Sequence, residues 1–128
     1  MRKFSVEMNS HLERAITELQ SARESLEASH FELAASRAAE AAFHTGSMLL
    51  LDEEIEPGGH GDVITLLQEI FVNGRRLTKD QGANLHWLFS LRNAERRAAA
   101  PSVDSEESRK AVEIAQSFFD AAKVILEA

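Results

Sequence analysis

Arg92 is the side chain with the most chemical potential in this sequence, within Leu85-His-Trp-Leu-Phe-Ser-Leu-Arg92-Asn-Ala-Glu95-Arg96-Arg97. On a helix turning 100° per residue it projects from the same face as Leu85, Leu88 and Phe89, and Glu95 falls within that apolar arc. A guanidinium keeps its charge and is costly to bury alone, so something is expected to face it. One option is a carboxylate, Glu95 or one from a neighbouring helix, in a structural ion pair. The other is a phosphate or similar anion in a cleft or dimer groove, with Arg96 and Glu95 nearby. His60 is the second candidate, in Gly58-Gly59-His60-Gly61 just before a helix start. Glycines let backbone approach a ligand and a helix start favours anions, although the same glycines also suit a plain chain reversal with a solvated His60.

Other chemistry signals are weaker. Glu27-Ala-Ser-His30 is a single Glu-x-x-His, whereas a di-iron bundle needs two copies and further inward glutamates, so no metal is expected. Glu40 and His44 share a helix face at a spacing that reads as local electrostatics. No phosphate-binding loop, Gly-x-Ser-x-Gly elbow or dinucleotide fingerprint occurs, so no cofactor is expected. The absence of cysteine excludes disulfides, thiol nucleophiles and Cys-ligated metals.

The elements that must carry these residues read as helices. Alanine is abundant, β-branched runs are absent, and Pro57 and Pro101 lie outside the apolar-periodic stretches. A first helix opens at the capping pattern Ser10-His-Leu-Glu13, or a turn or more earlier, and places Leu12, Ala15, Ile16, Leu19, Ala22 and Leu26 on one face. A second, from about Phe31 to Leu51, is apolar on most sides and reads as central or as forming an interface; Pro57-Gly58-Gly59 ends the segment. A short third starts near Asp62 as N-cap and stops at Asn73-Gly74. A fourth runs from the capping box Thr78-Lys-Asp-Gln81 to about Ala98, and a fifth follows Asp104. Trp87 and the phenylalanines read as core. Short connections imply antiparallel neighbours, so the expected fold is all-α: an up-and-down antiparallel bundle of four main helices plus one shorter, forming a single domain over residues 1–128.

Composition bounds the function. The 128 residues carry 14 Lys+Arg against 21 Asp+Glu, a net charge of −7, which opposes broad coating of nucleic acid or anionic membrane. The charge is uneven: residues 73–97 carry +4 and the remainder −11, leaving room for one confined anion site. No apolar run reaches signal-peptide or membrane-spanning length, so a cytoplasmic location without membrane association is expected.

The order of short motifs resembles the HEPN family of small prokaryotic helical-bundle proteins. The matching stretches are Ala39-Ala-Glu-Ala-Ala-Phe-His44 leading to Met48-Leu-Leu-Leu51, Gly59-His60-Gly61-Asp62-Val63-Ile64 leading to Phe71-Val72, Leu85 through Leu88-Phe89-Ser-Leu91-Arg92-Asn-Ala94, and Ala115-Gln-Ser-Phe118-Phe-Asp-Ala-Ala-Lys-Val124. The branch it most resembles has a His before the third helix and an Arg near the end of the fourth, which His60 and Arg92 match. The resemblance implies a homodimer, often paired with a minimal nucleotidyltransferase in toxin–antitoxin systems, and metal-independent ribonuclease activity in catalytic members. Those members resemble one another in an Arg followed four to six residues later by His. No histidine follows Arg92 at that distance.

The expectation is therefore a non-catalytic or weakly catalytic dimer binding a nucleotide, an RNA phosphate or a partner nucleotidyltransferase through Arg92, His60, Glu95 and Arg96. Two alternatives stay open: a ribonuclease toxin with a rearranged site using His60 or His86, and a purely structural interaction module with Arg92 and Glu95 paired.

Overall fold

The computed structural model describes residues 4–94 and 103–127, and among these every regular element is helical. Helix α1 spans Val6–Glu27 and starts a turn before Ser10, because the Ser5 side chain accepts the Met8 amide at 3.1 Å. Helix α2 spans Phe31–Asp52. Fourteen of its 22 residues are buried, and it packs against every other α-helix, so it is the central rod that the alanine content implied. The alanines let its neighbours come close. Gly46 takes this furthest, since a Cβ there would sit 2.8 Å from Leu67 Cδ1 and 2.9 Å from Val63 Cγ1.

Helix α3, His60–Leu66, continues without a break into a π-helical stretch, Leu67–Val72. Asp62 is not its N-cap. Gly59 is extended at that position and its carbonyl accepts the Val63 amide at 3.0 Å, which places His60 first in the helix and Asp62 within its opening turn. Helix α4 covers Lys79–Phe89 behind the expected Thr78/Gln81 capping box, with both reciprocal bonds made. Helix α5, Ser105–Glu127, opens on a second box in which Asp104 and Glu107 exchange side-chain-to-amide bonds. Ser108 Oγ donates to the Phe31 carbonyl at 3.1 Å, so α2 and α5 begin at the same end of the bundle.

Three helix exits share one geometry. Ser29, Glu54 and Arg75 adopt left-handed φ values of 63°, 61° and 63°. At each, the following amide reaches back five residues (His30 to Ser25, Ile55 to Leu50, Arg76 to Phe71), while the left-handed residue's own amide reaches back three. This is the Schellman closure, which satisfies two otherwise orphaned carbonyls per helix end.

Two further sequence expectations are corrected. Ile16 is 48% exposed, at the margin of the α1 stripe rather than within it. The fourth helix stops at Phe89, well short of Ala98. Past that point the Leu91 and Ala94 amides bond three residues back, in tighter turns. The Ser90 hydroxyl bonds the Trp87 carbonyl at 2.5 Å, and Ser36 on α2 donates to the Leu91 carbonyl at 3.4 Å, so local and tertiary bonds replace the helical ladder.

Candidate functional site

Ending α4 at Phe89 moves Arg92 off the helical spiral on which its inward face was inferred. Arg92 is exposed, between buried Leu91 and buried Ala94, and its Nη1 donates to the Phe89 carbonyl at 3.4 Å. No enclosed ion pair is needed to hold it. Glu95 and Arg96, the other two candidates on this segment, lie outside the described residues, as do Arg97 and Pro101.

His60 sits on the same landmark from the other side. Its ring meets the Phe89 ring edge-on at 6.5 Å and stacks on Phe43 at 4.2 Å, with 18° between the planes. The two residues picked from sequence, 32 positions apart, thus both touch Phe89, His60 at its ring and Arg92 at its backbone carbonyl. Their joint position follows from Gly59 starting α3 early and from Ser36 drawing the chain back after Phe89.

His60 is also hydrogen-bonded. Its Nε2 lies 2.7 Å from Glu40 Oε1, and the other carboxylate oxygen lies 4.0 Å from His44 Nε2. His44 Nδ1 in turn meets His11 Nδ1 at 2.9 Å. Side chains from α3, α2 and α1 therefore form one polar row, His60, Glu40, His44, His11, with Phe43 in contact with all three imidazoles. Such a row can orient rings and pass protons between them. Among the described residues no three His, Asp or Glu side chains are arranged to hold a metal ion.

Burial sets the electrostatics of the inner end. His44 is buried, which with the nearby His11 pushes its pKa down to about 4; Glu40 opposes the shift, and Arg14 and His60 add to it. Burial lowers His11 as well, with Glu7 opposing and Arg14 assisting. The Nδ1···Nδ1 contact needs one nitrogen to donate and the other to accept, so at least one of the two rings is neutral, and the lowered pKa values favour the neutral form of both. A groove of about 300 Å³, lined by Glu13, Arg14, Thr17 and Glu18, reaches His44 from solvent.

Sequence reasoning took the Glu40/His44 pair as local electrostatics and passed over His11. A usable signal was present for the pair: two ionisable residues one turn apart on a helix whose buried positions are otherwise small or apolar. None existed for His11, whose partner is 33 residues away. His86, the alternative acid/base, is exposed and lines a groove with Ile64, Gln68 and Glu69, away from the polar row. A further cleft of about 300 Å³ between α4 and α5, floored by Leu85, Ile114 and Phe118, contains none of the candidates.

The comparisons with known proteins agree with this architecture. The family model for the HEPN domain matches residues 8–125. No curated protein matches the sequence. Among solved structures, the crystal structure of TT1696 from Thermus thermophilus superposes with a TM-score of 0.78 at 20% identity, covering 93% of this chain and 98% of that one. At this identity the likeness concerns the fold. No helix of the described residues is long and apolar enough to cross a membrane.

Proposed function

The chain belongs to the HEPN domain family, and from that premise we propose that it is a dimeric, cytoplasmic, non-catalytic or weakly catalytic member that binds a nucleotide or RNA phosphate where α3 begins and α4 ends. The observation that carries this reading is that His60 and Arg92 both touch Phe89, one at its ring and the other at its carbonyl. An exposed guanidinium that, among the described residues, makes one long contact to a backbone carbonyl retains donors for a phosphate, and a planar fork suits that anion. In sequence, Arg92 belongs to a net basic stretch, residues 73–97, within an otherwise acidic chain. A toxin–antitoxin-type pairing with a nucleotidyltransferase fits the same surface, which a partner would cover by engaging Arg92.

Anisotropy titration of a labelled single-stranded oligoriboadenylate tests the reading. Arg92→Ala should weaken binding about tenfold, in line with the loss of a charge-assisted contact. Its thermal unfolding should match the parent's, because Arg92 is exposed on a turn. Equal affinity in parent and variant would remove Arg92 from the site.

One observation favours a second reading, the ribonuclease with a rearranged site. A carboxylate holding an imidazole at 2.7 Å is the orienting pair that general acid/base chemistry uses. Cleavage of RNA by the parent, lost in His60→Ala, would select it.

A further inference from the structure

The Glu40–His60 contact fixes more than a distance. A carboxylate only accepts hydrogen bonds, so the 2.7 Å contact requires a proton on His60 Nε2. In the neutral ring the proton count then leaves Nδ1 bare, an acceptor. The ring is held against turning over, which would put carbon in place of Nε2 opposite Glu40, since one face is stacked on Phe43 and the ring meets Phe89 edge-on. Among the described residues nothing bonds Nδ1, and the His60 side chain is 26% exposed to solvent.

From this we propose that Glu40 is a positioning residue, which holds His60 with Nδ1 free to accept a hydrogen bond from a ligand hydroxyl, and that the hydroxyl is the ribose 2′-OH of a ribonucleotide. The inference rests on the phosphate reading above. A phosphodiester ligand is acceptor-only along its backbone, and a neutral Nδ1 acceptor would gain nothing from it. The 2′-OH is the one donor that a ribose carries next to every phosphate inside the chain. Arg92 then supplies affinity and His60 supplies discrimination. Glu40 lies on α2, a different helix from either, and touches the ligand only through His60.

Two measurements test this. In imidazole nitrogen NMR at about pH 8, where an ordinary histidine is neutral, His60 of the parent should show Nε2 protonated and Nδ1 bare, and Glu40→Ala should show mixed tautomers. A parent ring protonated on Nδ1 overturns the inference. In titrations with an oligoadenylate of eight residues and its 2′-fluoro counterpart, which keeps the sugar shape but has no donor, the parent should bind the hydroxyl form about three- to tenfold tighter, the range of one hydrogen bond. His60→Phe, which keeps the stack on Phe43, should bring the two within about twofold, and Glu40→Ala should reduce the preference. Arg92→Ala should weaken both oligomers alike. A parent that binds both equally overturns the hydroxyl contact while leaving the phosphate site standing. If neither oligomer binds, the phosphate reading falls with it. A full preference retained in Glu40→Ala removes the positioning role.

Discussion

Lowering the pH from 7 to 4 should remove about 3 kcal/mol of folding stability through His44 alone, with His44→Gln largely insensitive to that part of the change. The folded pKa of about 4 lies below the ordinary 6.5, so between those values the unfolded chain holds a proton that the native ring does not. Stability therefore rises with pH across this window, is fully present above 6.5 and is lost as pH falls through about 4. His11, lowered in the same direction, adds to the loss. The structural event is specific. Charging both rings puts hydrogens on both Nδ1 atoms, and their 2.9 Å contact cannot survive two donors. Urea unfolding at several pH values should show the parent's midpoint dropping more steeply than the variant's. Parallel curves would show that some other group governs the acid limb, since carboxylates elsewhere titrate identically in both proteins.

Phe71→Ala should cost about 3–5 kcal/mol, the range for deleting a fully buried aromatic ring. Phe71 has no solvent exposure, and it stands in the π-helical stretch where α3 turns toward α4. Its carbonyl accepts the Arg76 and Leu77 amides at 2.8 and 3.0 Å, and the Arg76 guanidinium lies 4.5 Å over the ring. Arg76 is held over that ring by an ion pair with Glu53. Losing the ring thus opens a void beneath a salt bridge that gives the site no means to collapse around it. With total stabilities of about 5–15 kcal/mol for domains, the variant should be partly unfolded at growth temperature. A shift in unfolding free energy below about 1 kcal/mol would mean that the surrounding leucines refill the space.

The bundle was legible because its signals are local. Alanine-rich periodicity identified α2 as the central helix, and the Thr78/Gln81 box located the start of α4 to the residue. The end of α4 was not legible, because neither glycine nor proline marks it. The chain leaves the helix through a serine hydroxyl at position 90 and a bond from Ser36, 55 residues from its acceptor in Leu91. That one boundary decided the environment of Arg92, so the inward face read from its spacing did not form. Both His60 and Arg92 touch Phe89, a placement that tertiary packing sets and that neither residue's spacing encodes. His11 and Glu40 entered the site through contacts between helices, which no periodicity along one helix encodes.

Helix exits were also marked in the sequence by glycines, yet no glycine of the described residues has a positive φ, and the left-handed positions belong to Ser29, Glu54 and Arg75. Each side chain there bears a steric cost of roughly 1–2 kcal/mol that glycine would avoid, offset in part by glycine's greater freedom when unfolded. The three positions close three different helices, so their effects are close to independent. The protein therefore stands below the thermostability its own backbone permits. Its fold has slack at three points outside the polar row, where a lineage moving to a hotter habitat could gain heat tolerance without touching His60, Glu40, His44 or His11.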